Sequence, residues 1–171
     1  MEELLLTALA ELVNNNNDAI AELGYQPIRT IDRFRGQTTN PQQFEYYPTP
    51  AIFMAHRTTW RKEGKRYVGS TTIDFHLLHD EPMNTAQYFT NKDEALKQAG
   101  YYKIVQRLLD ELTTTATTKL VRSADTTIDT GVACYKVLTY TCETYDIITD
   151  NILIGDNLEV EIVNKQLVKK L

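Results

Sequence analysis

The stretch "RYVGSTTIDFHLLH", residues 66–79, is the clearest strand pattern in the chain and decides the fold class. One set of alternate positions is largely apolar and comprises Tyr67, Thr71, Ile73, Phe75 and Leu77. The other set is more polar and comprises Val68, Ser70, Thr72, Asp74 and His76. Because successive side chains of a strand point to opposite faces, this alternation predicts a strand with one buried face and one more polar face. Antiparallel sheets commonly have one such wet face.

Neighbouring stretches predict the other strands of the sheet. "PIRTIDRF" (27–34) begins with a proline, and "AIFMAH" (51–56) follows Pro48 and Pro50, which hold their preceding residues extended. "RKEGKR" (61–66) is typical of a charged hairpin loop with Gly64 as its turn residue. "LVRSADTTIDTG" (120–131) and "VACYKVLTYTCETYDI" (132–147) predict two further strands that meet near Gly131.

Two stretches predict helices. The first opens the chain with apolar residues at helical spacing: Leu4, Leu5, Ala8, Leu9, Leu12 and Val13. "NNNND" (14–18) is expected to fray or interrupt this helix, although Ile20 and Leu23 can continue its stripe up to Gly24, a suitable stop. The second helix follows a capping pair, Asn91 and Glu94. Its apolar stripe comprises Leu96, Tyr101, Ile104, Val105, Leu108 and Leu112.

This order of elements predicts an α+β fold. We expect a single domain at residues 1–148, with a mainly antiparallel sheet and both helices packed on one face. Residues 149–171 contain two short alternating runs around Gly155 and Asp156, which predict a C-terminal β-hairpin extension. A hairpin of this size cannot hold a core alone, so we expect it to cover an edge or to lie on a neighbouring subunit.

Composition narrows the function classes. The 171-residue chain has a formal net charge of −5, which argues against a protein that wraps nucleic acid. A signal peptide begins with basic residues, whereas this chain begins with Glu2 and Glu3. No apolar run is long enough to span a bilayer, so we expect a soluble protein. Cys134 and Cys142 lie eight positions apart in one strand and cannot bridge each other there. We expect both to be reduced, as in a cytosolic environment.

Motifs for catalysis are weak throughout the sequence. The chain contains no G-x-S-x-G elbow, no G-x-G-x-x-G run and no phosphate-binding P-loop. We therefore expect no enzyme activity, no cofactor and no metal. The alternative is a small metal-dependent hydrolase that uses Asp74 and His76 with His56 from the neighbouring strand, since two histidines and a carboxylate can hold a metal. His76 and His79 are expected on opposite faces, so they cannot share that metal.

Aromatic residues instead favour a protein that contacts other proteins. The chain has ten tyrosines and one tryptophan, several of them predicted in loops or near helix starts. Tyr and Trp are enriched at protein–protein contacts because the ring buries area while its polar tip stays hydrogen-bonded. The candidate interface residues, including one arginine at the rim of the sheet, are Tyr46, Tyr47, Arg57, Trp60, Tyr101 and Tyr102.

The central region, residues 35–81, resembles tail-terminator or tail-completion proteins from phages and prophages of Bacteroidetes-type hosts. The shared pattern is a Gly-Gln pair, a proline-led apolar strand, a tryptophan, a glycine turn and a long strand. It falls here on Gly36-Gln37, residues 50–54, Trp60, Gly64 and residues 73–78. The resemblance extends over residues 1–148. The chain departs from the pattern at His56, where the family often has an acidic residue, and in residues 149–171, which extend past the usual end.

The resemblance implies a structural virion protein that forms a homohexameric ring on the tail tube. Such a ring halts tube polymerisation and presents a docking face to the head-side connector or other neck proteins, while DNA passes through the lumen without specific binding. The implied partners are copies of the chain itself, the tail tube protein and the head-side connector, with no membrane. The implied location is the virion tail or neck, after assembly in the host cytoplasm. Another neck component, such as a head–tail adaptor or a head-completion ring, is the alternative.

Overall fold

The computed structural model describes residues 2–38, 47–63, 66–79, 92–115, 117–129, 134–145, 151–153, 159–163 and 166–169. Two helices, α1 and α2, span Glu2–Glu22 and Lys92–Asp110. The strands of the main sheet are β1 Thr30–Arg33, β2 Ala51–Glu63, β3 Arg66–Leu78, β4 Val121–Asp129 and β5 Cys134–Tyr145. Three short strands follow near the C-terminus: β6 Asn151–Leu153, β7 Glu159–Val163 and β8 Gln166–Lys169.

The main sheet has five strands in the order β1-β2-β3-β5-β4. All neighbours pair antiparallel except β1 and β2, which are parallel. The β2–β3 hairpin is the longest ladder and pairs thirteen residues from Ala51 opposite Leu78 to Glu63 opposite Arg66. The α+β prediction with a mainly antiparallel sheet is therefore confirmed, and the parallel β1–β2 pair is an addition that the strand patterns did not indicate.

Both helices pack on one face of this sheet, called here the helix face. The sheet contributes Ile52, Met54, Ile73, Phe75, Leu77, Leu138 and Tyr140 to the core on this face. The helices contribute Leu5, Leu9, Val13, Ile20, Tyr101, Val105 and Leu109. Each fully buried large apolar side chain stabilises the fold by about 1.5–3 kcal/mol. The packing of the helices against the alternate positions of β3 confirms which face of that strand is buried.

A polar anchor joins α2 to the sheet. The Tyr140 hydroxyl donates a hydrogen bond of 2.7 Å to Oδ1 of Asp110, in the last turn of α2. Burial and this hydrogen bond raise the pKa of Tyr140 well above its ordinary range. Because the ring of Tyr140 also meets Phe75 edge-on at 5.6 Å, one side chain fixes the end of the helix over the centre of the sheet.

The asparagine run lies inside α1 and neither frays nor interrupts it. Asn17 accounts for part of this, because its side chain accepts a hydrogen bond from the Ile28 backbone N–H (2.9 Å) and donates one to the Ile28 carbonyl (3.0 Å). Asn16 donates back to the carbonyl of Leu12. The helix ends at Glu22 and is stopped as predicted by Gly24, which has φ of 80° and lies in a pair of hydrogen bonds typical of a glycine-terminated helix.

A second, smaller apolar cluster lies on the opposite face of the sheet, at the end of the strands near β1. Its buried members are Ala51, Phe53, Leu78, Tyr135 and Val137. Phe34, Tyr47 and Ile128 pack against it and are partly buried. The sheet is therefore covered on both faces at this end, whereas the far end of the β2–β3 hairpin is exposed.

The C-terminal strands β6, β7 and β8 form a separate three-stranded antiparallel sheet. The predicted hairpin corresponds to β6 and β7, and β8 adds a third strand to it. In the part of the chain that the structure describes, neither α1 nor α2 contains the apolar stretch that a membrane-spanning helix requires.

Candidate functional site

The most distinctive exposed surface lies at the far end of the β2–β3 hairpin. Along β2, burial falls from four buried residues at Ala51–Met54 to exposed residues at 59–63. Trp60 and Tyr67 carry large rings there that remain 47% and 49% exposed. We call the set Arg57, Trp60, Arg61 and Tyr67 the hairpin-end surface. Exposed rings of this size are unusual on ordinary surface and are enriched at protein contacts.

A glycine on the paired strand leaves room for the Trp60 ring. Trp60 pairs with Gly69 across the ladder. A Cβ atom built on Gly69 would lie 2.5 Å from Cγ2 of Thr58, which is closer than real Cβ atoms approach, and 3.0 Å from Cζ3 of Trp60, which is a tight contact. The glycine therefore lets the indole lie directly against the backbone of β3. An aromatic ring fixed in this way loses little rotamer freedom when a partner covers it.

Hydrogen-bonded threonine hydroxyls link the strands next to Trp60. Thr58 and Thr71 are hydrogen-bonded at 2.9 Å, and Thr71 and Thr144 at 2.6 Å, across three adjacent strands. Thr71 and Thr144 are fully buried. Because buried hydroxyls that are hydrogen-bonded fix strand register, this chain of threonines gives the exposed end of the hairpin a defined geometry.

The two arginines of the hairpin-end surface lie on the face opposite Trp60. Arg57 pairs with Thr72 and is exposed. Arg61 makes ion pairs with Glu63 at 2.8 Å and Glu143 at 3.1 Å, and all three side chains are about half exposed. Ion pairs with this exposure contribute little stability, so their main effect is to place charge at the edge of β2.

The other predicted interface residues have different surroundings. Tyr47 is partly buried against Phe53, with ring centroids 5.0 Å apart and an edge-on geometry, and its hydroxyl donates to the Gln37 carbonyl at 3.3 Å. Burial raises the pKa of Tyr47. Tyr102 is partly buried, and the Lys136 Nζ lies 6.0 Å from the centroid of its ring. Tyr46 lies outside the described residues.

The interface prediction for Tyr101 is corrected by the structure. Tyr101 is only 1% exposed and belongs to the core between α2 and the sheet. It lies on the same side of α2 as Val105 and Leu109, at helical spacing. Its ring is therefore occupied by contacts within the chain and offers no exposed area to a partner.

The metal-dependent hydrolase hypothesis is wrong in its geometry. The ladder pairs His56 with Ile73 and Ala55 with Asp74, so His56 lies on the helix face. Asp74 and His76 lie on the opposite face, and these three side chains cannot ligate one ion. No group of three His, Cys, Asp or Glu residues within the described ranges is arranged to hold a metal.

His76 has surroundings that sequence patterns did not indicate. Its ring stacks on Phe34 with centroids 3.7 Å apart and an interplanar angle of 5°, and Tyr135 lies 5.6 Å away on β5. The residue is 8% exposed, and its buried Nδ1 has no hydrogen-bond partner among the described residues. Burial lowers the pKa of His76, and the charge of Asp74 opposes this only in part. Asp74 itself accepts a hydrogen bond of 2.6 Å from Thr139.

This environment predicts a pH-dependent stability. Because the pKa of His76 is lower in the folded chain than the unfolded value of about 6.5, the unfolded chain binds the proton more readily. Stability is therefore complete above about pH 6.5 and declines as pH falls below it, by at most about 1.4 kcal/mol per pH unit. Urea unfolding at several pH values should show this decline in the wild type and a smaller one in His76→Phe. His56→Gln, the control, should keep the wild-type decline; equal declines in wild type and His76→Phe would contradict the assignment.

No protein-family model and no curated protein matches this chain.

Proposed function

We propose that the chain is a structural virion subunit of the tail-terminator class, which forms a ring of six copies at the head-side end of a tail tube. The observation that carries this proposal is the exposed Trp60 ring held on Gly69 at the end of the hairpin. A large aromatic residue that is both exposed and fixed in position is typical of a binding hot spot. Trp60 and Gly64 are also among the residues on which the resemblance to tail-terminator proteins rests.

Termination of a tube requires complementary surfaces and no bond breaking. One ring face must match the last ring of the tube, and the other face must reject a further tube subunit while accepting the head-side connector. The arrangement of the hairpin end suits contact between neighbouring copies in such a ring, because aromatic area lies on one face of the hairpin and arginine charge on the other. Copies of this chain, the tail tube protein and neck proteins are the proposed partners.

The charge of the chain supports passage of DNA through the ring. At a formal net charge of −5, each subunit repels phosphates on average, so DNA can slide past without specific binding. The proposed location is therefore the tail or neck of the virion, with no bound cofactor.

Electron microscopy of particles made without the protein tests this function. Tails of abnormal length are expected, because the tube would continue to grow without its terminator, and a plasmid copy of the wild-type gene should restore normal length. Tails of normal length that are detached from heads would instead assign the chain to the head–tail adaptors. Intact particles with normal tails would contradict both roles.

A further inference from the structure

Both edges of the five-stranded sheet carry a long segment with no described strand beside it. At one edge, β4 contributes nine residues, Val121–Asp129, whose outer side pairs with no strand of the described chain. At the other edge, β1 covers only Ala51–Met54 of β2. The following nine residues of β2, 55–63, therefore pair with β3 alone among the described strands. Unpaired strand edges of this kind are templates for pairing with another chain.

The direction of the free backbone groups follows from the ladder. The Phe34 N–H donates to the Met54 carbonyl at 2.8 Å, so the backbone groups of Met54 point away from β3. Because this direction alternates along a strand, His56, Thr58, Trp60 and Lys62 direct their N–H and C=O groups outward. The same alternation carried across β3 and β5 places the outward groups of β4 on Asp125, Thr127 and Asp129. All of these residues lie on the helix face.

Other parts of these two edges are less suited to pairing. At β1, the Gln37 side chain donates to the Arg33 carbonyl at 2.7 Å and accepts from the Arg35 N–H at 2.6 Å, which closes the end of that short strand. A bulge between Arg122 and Ala124 interrupts the start of β4, and bulges discourage edge pairing. Residues 124–129 of β4 and 55–63 of β2 remain regular, so these two segments are the ones suited to pairing.

We infer that β4 of one copy pairs antiparallel with residues 55–63 of β2 in the next copy, which joins the five-stranded sheets edge to edge. This inference rests on the proposed ring function and names its interface. Since β2, β3, β5 and β4 alternate in direction, β4 and β2 already run antiparallel, and two copies in the same orientation bring them together correctly. A contact between two different edges is head-to-tail and closes into a ring when the rotation permits.

Charge supports a second copy as the occupant of each edge. Residues 55–63 contain Arg57, Arg61 and Lys62 against Glu63, a net charge of +2. Strand β4 contains Asp125 and Asp129 against Arg122, a net charge of −1. Lys62 of β2 lies on the same face of the sheet as Asp125 and Asp129 of β4, so these unlike charges favour β2 against β4, whereas two β2 edges would bring like charges together. The pairing also places Trp60 within the interface, where the adjacent strand would cover its exposed ring.

Proline substitutions at the two edges should prevent pairing between copies without preventing the single chain from folding. Thr127→Pro removes one outward N–H of β4 and no hydrogen bond to β5, so the single chain should fold, because proline is tolerated at an edge. We expect the full-length variant to keep a cooperative thermal transition but to lose oligomers in size-exclusion chromatography with light scattering. Thr127→Ala keeps the N–H and should assemble. Thr58→Pro and Thr58→Ala form the same comparison on β2, with the Thr58–Thr71 hydrogen bond lost in both.

Each outcome has a separate meaning. Ring assembly by both folded proline variants would overturn the edge pairing but leave the proposed function intact, whereas a monomeric wild type would overturn both.

If a proline variant fails to fold, cross-linking decides whether the two edges pair. One chain carries Thr58→Cys and the other carries Thr127→Cys, and both also carry Cys134→Ser and Cys142→Ala. The two chains are mixed and treated with a bismaleimide. A covalent dimer of the two chains is expected. A Leu23→Cys chain, used in place of one of them, is the negative control and should give no dimer. Absence of the Thr58–Thr127 dimer from assembled rings would contradict the inference.

Discussion

Replacing Phe75 with alanine is expected to lower the free energy of unfolding by about 3–5 kcal/mol. Phe75 is fully buried in the core between the sheet and the two helices. Its ring also meets Tyr140 edge-on, and Tyr140 in turn anchors α2 through Asp110. The substitution removes the apolar burial and leaves a cavity beneath both helices, so the two costs add. Urea unfolding of the wild type and the variant at neutral pH measures the difference.

Tyr67→Ala provides the control for this prediction. Tyr67 lies on the same strand and at the same alternation as Phe75, but its side chain is about half exposed. Its replacement should change the free energy of unfolding by about 0.5 kcal/mol or less. Similar losses for the two variants would mean that the helices do not cover the centre of β3, and the fold described above would be wrong at its core.

Replacing Trp60 with alanine is expected to weaken assembly far more than folding. Hot-spot residues of this type contribute about 2 kcal/mol or more to an interface. This corresponds to roughly a 30-fold weaker dissociation constant at each contact. The effect on folding should be small, because nearly half of the side chain is exposed in the single chain. Analytical ultracentrifugation over a concentration series measures assembly, and thermal unfolding of the same samples measures folding.

Leu23→Ala is the matched control for Trp60→Ala. Leu23 is the most exposed large apolar residue described, at 63%, and lies after the end of α1, away from the hairpin. Its replacement should leave assembly unchanged. A Trp60→Ala variant that loses folding and assembly to the same degree would show that the indole serves the fold, and the hairpin-end surface would lose its proposed role.

The sequence predicted the elements of this fold well because alternation along a strand is a local property. The buried positions of β3 follow directly from the pattern of Ile73, Phe75 and Leu77. The opposite faces of His76 and His79 are confirmed in the same way, since His76 stacks on Phe34 and His79 contacts Tyr101 on the helix face. The stop of α1 before Gly24 could also be predicted, because glycine favours the positive φ that stops a helix.

The errors concern relations between elements. The face of His56 depends on the register between β2 and β3, and alternation within each strand does not fix that register. The parallel pairing of β1 with β2 depends on long-range packing in the same way. The continuity of α1 through its asparagine run depends partly on Asn17 binding the backbone of Ile28, eleven residues away. Tyr101 had a usable signal, because it already lay in the apolar stripe of α2.

The stacked His76 and the fixed Trp60 were the features least accessible from the sequence. His76 lies at a position of the strand that its neighbours made look polar, and only the approach of Phe34 and Tyr135 makes it part of an aromatic cluster. Trp60 was a candidate interface residue from its type and its predicted position at the rim of the sheet. Its support by Gly69 on the paired strand became visible only with the ladder.

The mass of the purified full-length protein in native mass spectrometry shows whether the exposed end of this sheet contacts further copies in solution. We expect a discrete closed oligomer, with a mass of about 118 kDa for six chains of 19.6 kDa each. A single species of 19.6 kDa that persists at high protein concentration, from a sample that unfolds cooperatively, would contradict it.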